Sequence, residues 1–408
     1  MGDDSRANEG GSARGRRGPI VRACLLPYVA WATAVLGLLT VLQFVVGRVV
    51  TDRVHVIQYI WWTPPSWSVL SAWGLLLVSW VSGWVSLRSK GLMLRPLLLL
   101  GCLGMTGWVL LGEWSVHRYV TGSGGSAQRA GTDSVRVLHW NLSASKVREG
   151  GYWSRMLDDE PDIVLIANAR FGSDLRMILQ STSPLAPADE LVEAKRRYKV
   201  PGRPGHFLIT HRGLIASRLP ITRAGVVSSG PLVNTDNESR ASGEHGWVIF
   251  AEFERGEGGE PLVVWFVDLP SDPLTSRMES MRVMRDAIDA WDGRTLVPNE
   301  TGWDSIPGAD VFPTPDLVIG DFNALRGSAS LDTIAPGYRD AFGLAGRGPG
   351  RSWVPNGQNR LLRQPLKLSS WHIDLALAAP GWDVLGYELV NPRRGPHRVQ
   401  IVELAPAR

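Results

Sequence analysis

The chain opens with three long apolar stretches and then changes period. Residues 23–46, 67–87 and 96–114 carry almost no charge, and each is near the roughly 20 residues that cross the apolar layer of a bilayer. Trp61, Trp62, Trp67, Trp84, Trp108 and Trp114 gather near their ends, where indole rings favour a membrane interface. Buried core helices, or a signal peptide for the first stretch, fit less well. Three such runs follow one another, and no small-residue cleavage site follows the first.

After residue 134 short runs rich in β-branched and aromatic residues take over. VRVLHWN (135–141), DIVLIAN (162–168), GLIAS (213–217), WVIFAEFE (247–254) and PLVVWFVDL (261–269) read as strands. LVIGDFN (317–323), DLALA (374–378), VLGYELV (384–390) and VQIVEL (399–404) read likewise. A segment with Trp153, Met156 and Leu157 reads as a short helix. Leu274, Met278, Met281, Met284, Ile288 and Trp291 step by three or four and predict another. Asp272 is its expected N-cap and Pro273 its first turn. Residues 293–315, rich in Gly, Pro, Asp and Trp, read as a long connection without structure of its own, either a lid or a surface insertion.

These patterns predict a tail (1–22), three membrane helices within 23–114, a Gly/Ser-rich linker (115–134) and an α/β domain (135–408). Charge then sets a topology. Arg14, Arg16, Arg17 and Arg22 precede the first apolar run, and Arg88, Lys90 and Arg95 lie between the second and third. The loop between the first two holds only Arg48 and Arg53, with Asp52 between them. The positive-inside rule puts the N-terminus in the cytoplasm and residues 115–408 outside the cell membrane. That domain holds 33 of the 43 Lys+Arg and 34 of the 39 Asp+Glu, so it lacks the bulk positive charge of a dedicated nucleic-acid binder. Cys24 and Cys102 both lie in apolar runs, so the domain uses neither disulfides nor thiolate metal ligands.

Several strand ends finish in a polar residue: Asn141, Asn168, Asp268, then Asp321 with Asn323. Asp374 comes early in DLALA, and His397 stands just before the last strand. Together they mark one edge of a layered sheet, where ligands bind in α/β proteins. His139, His206, His211 and His245 match no ligand spacing, and Arg170 reads as a solvated side chain.

GDFNA, RVLHWN, PDIVLIAN, GLIASRLPI, YRDAF (338–342) and GPHRVQIVEL stand in the order of the endonuclease/exonuclease/phosphatase superfamily, which the chain resembles from about Val135 to Leu404. The resemblance implies a two-sheet α/β sandwich that hydrolyses phosphoesters, here behind an all-α membrane module. It implies that Asn141 and Asn323 hold the phosphate and that Asp321 orients or deprotonates the attacking water. Asp374 would support His397, which would stabilise charge developing on the phosphorus oxygens. It further implies a divalent cation, Mg²⁺ or Mn²⁺, with Asn168 and Asp268 as metal ligands.

The chain departs from the family at three places. Asn168 replaces the usual metal-binding glutamate, Pro396 an aspartate, and Asp268 a common histidine. Two functions follow. One is a membrane-anchored, metal-dependent phosphodiesterase or phosphatase, with a phosphorylated small molecule, lipid or nucleic acid as substrate. The other is a catalytically inactive relative that binds a phosphorylated ligand or a protein.

Overall fold

The structure is a computed structural model that describes residues 17–86, 93–121, 133–143, 161–168, 207–210, 213–231, 245–256, 259–299, 302–307, 311–355, 371–392 and 395–407. The chain divides into two compact units, one of residues 1–46 with 65–108, the other of residues 47–64 with 109–408.

The first unit is helical: α1 (Arg17–Val50), α2 (Pro65–Ser86) and α3 (Leu94–Gly107), the last running on as a π-helical turn over Trp108–Glu113. Three windows, Leu25–Val50, Pro65–Trp84 and Leu94–Glu113, are long and apolar enough to cross a membrane. Leu36, Leu39, Leu70, Leu77 and Leu100 are exposed along them, an arrangement costly in water and favourable against lipid. Where the helices meet, small residues and hydroxyls do the joining. Ser79 donates to the Ala30 carbonyl at 2.8 Å, and the Trp73 indole to the Thr106 hydroxyl at 3.0 Å.

The second unit holds two mixed sheets of β1 (Val135–Asn141), β2 (Ile163–Ala167), β3 (Phe207–Ile209), β4 (Gly213–Ser217), β5 (Ile221–Pro231), β6 (His245–Phe253), β7 (Leu262–Asp268), β8 (Arg294–Asn299), β9 (Gly302–Pro307), β10 (Leu317–Asp321), β11 (Arg339–Asp340), β12 (Asp374–Ala378), β13 (Trp382–Val390) and β14 (Val399–Pro406). One sheet runs β13-β14-β1-β2-β4-β3 and the other β11-β12-β10-β7-β6-β5-β8-β9. The pairs β1/β2 and β10/β7 are parallel. This is the two-sheet α/β sandwich that the strand pattern and the resemblance predict.

Strand alternation builds the core. On β7, Leu262, Val264 and Phe266 pack in the larger apolar cluster, with Val137, Leu165, Ile319 and Val402. Trp265 and Val267 point the other way, onto Met281, Met284 and Ile288 of α4 (Arg277–Asp289). The methionine stripe is therefore core packing. Gly320 is where β10 presses closest on β7, since a Cβ there would strike the Val267 backbone.

Two sequence expectations fail. The helix starts at Arg277 rather than near Asp272, because Ser276 accepts from the Glu279 N–H at 3.3 Å and caps it. Asp272 instead accepts from the Leu274 N–H within a turn. Residues 293–315 are not structureless: Arg294–Asn299 pairs with Gly302–Pro307 as a hairpin that extends the second sheet. The expected helix near Trp153, most of the linker, Arg170, His206 and His211 lie outside the described residues.

Gly320→Ala should cost about 3 kcal/mol or more, because the clash is with backbone that cannot move aside. Gly381→Ala, with open space around the new carbon, should stay within about 0.5 kcal/mol. Denaturant midpoints of the full chain in detergent compare the two.

Candidate active site

Parity carries the polar strand ends to one place. Residues 262, 264 and 266 of β7, 317 and 319 of β10, and 376 and 378 of β12 face the inter-sheet core. Two further steps along each strand put Asp268, Asp321 and Asp374 on that same side, at the end of the layer. Asn141 arrives by the same count from Val135 and Val137 on β1. Asn323 arrives differently. The strand stops at Asp321, Phe322 turns into the core, and Asn323 sits in the left-handed region at φ 48°. Its backbone N–H donates to Asp321 Oδ1 at 3.0 Å, a local turn that asparagine tolerates well.

His397 Nδ1 lies 3.0 Å from both Asp374 oxygens and 3.8 Å from Asp321 Oδ2. Asp374 is held in turn, because Ser352 Oγ accepts the backbone N–H groups of Ile373 and Asp374 at 2.9 and 2.8 Å. Burial works against charge on the imidazole, but Asp374, Asp321 and Asp268 outweigh it and push its pKa up to about 9. Burial and the nearby Asp374 charge raise Asp321 to about 7, against the pull of His397 and the hydrogen bonds from Asn323 and Asn141. Asp268 is raised well above the usual carboxylate range by burial and by Asp321. With Nδ1 engaged, Nε2 is the ring nitrogen left for a group in the cavity. His139, fully buried behind the site, pairs with Gln400 at 2.9 Å and is held neutral, with its pKa lowered by burial to about 4.

A chain of amides links the acids. Asn141 Nδ2 donates to Asp321 Oδ2 at 2.8 Å, while its Oδ1 accepts from the Ser143 N–H at 2.8 Å and from Asn168 Nδ2 at 3.1 Å. Asn168 Nδ2 also donates to Asp268 Oδ2 at 3.0 Å. Asn323 Nδ2 donates to the Leu269 carbonyl at 2.7 Å. Each carboxamide nitrogen carries two protons, so Asn141 and Asn323 each retain one for a ligand.

Asp321, Asp374 and His397 offer ligand atoms within 4.8 Å of one another, and this buried group can hold a metal ion. The donor set is rich in oxygen and short of positive charge: two buried carboxylates, Asp321 and Asp374, and the half-buried Asp268 face one imidazolium. The raised Asp268 and Asp321 report that shortage, and a hard divalent cation would relieve it. Asn168 turns its NH₂ toward the acids, so it joins a ligand set only by giving up its bonds to Asp268 and Asn141.

Asn141, Asn168, Asp268, Asp321, Asn323 and His397 line one cavity of about 840 Å³, while Asp374 is fully buried and reaches it through His397. Sequence reasoning missed Ser143, Ser352 and the aromatic part of the wall, formed by Trp62, Trp353 and Trp371. Trp353 bridges both Trp371 and His397 through the backbone. No local pattern marks contacts across such separations.

Both raised pKa values tie stability to pH in one direction. Between about 4 and 7 the folded state keeps a proton on Asp321 that the unfolded chain has lost, and between 6.5 and 9 the same holds for His397. The contribution of these two groups should therefore be full at acid pH and fall as pH rises to 9, by at most about 3 kcal/mol over the His397 window, while the neutral, buried His139 works the opposite way below 6.5. His397→Gln should remove the loss between pH 6.5 and 9. Urea unfolding of the metal-free full chain across this range measures it, and an unchanged slope in the variant would assign the loss to other groups.

No family model matches the chain, and no curated protein matches its sequence. Among solved structures it is similar to an endonuclease/exonuclease/phosphatase family protein from Bacteroides thetaiotaomicron, at 14% identity and TM-score 0.42, covering 67% of this chain and 98% of that one. It is similar to the human Nocturnin catalytic domain with bound sulfate, at 14% identity and TM-score 0.40, covering 67% of this chain and 95% of that one. A mannosyl-6-phosphatase from Bacteroides thetaiotaomicron is similar at 13% identity and TM-score 0.42, covering 66% of this chain and 99% of that one.

Proposed function

We propose that the chain is a membrane-anchored phosphoester hydrolase, its sandwich domain outside the cytoplasmic membrane. The observation that carries this reading is the buried Asp374–His397 pair set against Asp321 in one cavity. Asp321, with a pKa near neutrality, is placed to take a proton from water as its oxygen attacks phosphorus. His397, cationic at pH 7 and held in orientation by Asp374, stabilises charge gathering on the phosphoryl oxygens. The second N–H of Asn141 and of Asn323 completes a polar cradle for the phosphate. Water's oxygen bonds to phosphorus, one P–O ester bond breaks, and the departing alcohol leaves with a proton.

Asp268, with Asn168 turned to offer its carbonyl oxygen, would hold Mg²⁺ or Mn²⁺, which when bound supplies charge neutralisation at the phosphate. The extracytoplasmic placement rests on the arginine asymmetry around the three apolar helices. One observation favours the alternative, a phosphate-binding module without turnover: Asn168 presents an amide donor where the family resemblance puts a metal-binding carboxylate.

The full chain in detergent, assayed on phosphomonoesters and phosphodiesters with Mg²⁺, Mn²⁺ or chelator, separates these readings. Hydrolysis should require the metal and decline on the alkaline side as His397 loses its proton, near 9 in the metal-free chain. Asp321→Asn should lower kcat about 100-fold or more. Asn168→Asp keeps the shape and suits the left-handed backbone at φ 55°, and it should tighten metal binding by about tenfold. A folded, metal-loaded chain that binds phosphate but turns over no phosphoester would establish the binding module.

A further inference from the structure

The wall of the cavity is not built by the sandwich alone. Residues 47–64, which connect the apolar windows ending at Val50 and starting at Pro65, belong to the sandwich unit, and Trp62 lines the cavity. The run from Asp321 to Ser330 explains how. Its first half, through Asp321, Asn323 and Leu325, lines the cavity. Its second half grips the chain on the way to all three apolar windows. Arg326 donates to the carbonyls of Glu113 and Gly112 at 3.1 and 3.2 Å. Ser328 Oγ accepts the Trp61 indole N–H at 2.9 Å. The backbone N–H groups of Ala329 and Ser330 donate to Thr51 Oγ1 and Asp52 Oδ1, and the Ser330 hydroxyl donates to Asp52 Oδ2.

The loop is fastened on its other side as well. Gln58 bonds the Thr275 carbonyl and the Arg277 N–H at 3.1 and 2.8 Å, and Arg277 lies over the Trp62 ring at 5.0 Å. The Trp371 indole donates to the Trp62 carbonyl at 2.8 Å. Trp62 is therefore fixed as a rigid wall residue. It stands only three residues before the apolar helix beginning at Pro65, a reach of at most about 11 Å along the chain. If the helix beginning at Pro65 crosses a bilayer, the Trp62 wall of the cavity lies within that reach of its end. Trp62, Trp353, Trp371 and Leu325 line the same cavity as Asp321 and His397 and give it an apolar part.

We propose that the substrate is an amphiphilic phosphoester drawn from the bilayer, a phosphoglycerolipid in chemical class. Its phosphate would meet Asp321 and His397, and the first part of its acyl or glycerol portion would lie along the tryptophans. The inference rests on the hydrolase reading for its chemistry and on the loop docking for its choice of substrate. Indole rings suit this role, since they bury a large apolar area at low entropic cost.

The test uses the full chain in maltoside micelles, which carry no phosphate. Two probes are compared: dihexanoyl phosphatidylglycerol, and glycerophosphoglycerol with the same phosphodiester and no acyl chains. The acylated probe should show a kcat/KM about tenfold higher or more. Trp62→Ala should shrink that ratio by about fivefold or more, and Trp62→Phe, which keeps an aromatic wall if the alanine variant fails to fold, should retain most of it. Equal kcat/KM for the two probes overturns the inference and leaves the hydrolase reading intact. If neither probe turns over, calorimetric binding to the Asp321→Asn chain decides. Tighter binding of the acylated probe keeps the lipid as occupant while the hydrolase reading fails, and no preference overturns the inference as well.

Discussion

Three carboxylates and one imidazole share a water-poor space at the end of the inter-sheet layer, and the rest of the site is organised around that charge problem. An isolated buried carboxylate is expensive, so it is paired, hydrogen-bonded or protonated. Asp374 is paired with His397, Asp321 receives two N–H donors, and Asp268 receives the Asn168 amide. The compensation is incomplete, and Asp268 and Asp321 hold protons more tightly as a result. A core made only for stability would not concentrate acids in this way. The strain is informative because it falls where a phosphate and a cation would supply the missing interactions.

The fold delivers these groups by simple means. Alternation along β7, β10 and β12 puts every second residue into the inter-sheet core, and the same alternation puts the terminal aspartates there too. The core packing of Phe266 and Ile319 and the placement of Asp268 and Asp321 are thus one property of the strands. Continuing past Asp321, the same stretch of chain reaches the loop that joins the first two apolar helices. The candidate site and the loop between the first two apolar helices are linked through ten consecutive residues.

Much of this was legible in the sequence because it depends on local pattern. Apolar runs ending in Asn141, Asp268 and Asp321 carry both the strand and its polar tip, and the three apolar helices are plain from length and composition. The hairpin at residues 294–307 was hidden by its Gly and Pro content, since pairing with its partner strand, not propensity, makes it a strand. The helix start moved to Ser276 because its capping box outweighs an Asp-Pro pair four residues earlier. The roles of Trp62, Ser352 and Trp371 had no local signal. They arise from contacts such as Trp371 to Trp62, partners 309 positions apart in the sequence.

The central claim is that the buried acids are kept for chemistry at the expense of stability. Asp268→Asn tests it directly, because the change removes one ionisable group while leaving an oxygen to accept from Asn168. The account predicts that thermal unfolding of the full chain moves up by a few degrees while phosphoester hydrolysis falls by about tenfold or more. A variant that unfolds at lower temperature with its activity retained would show that Asp268 serves the fold and not the reaction.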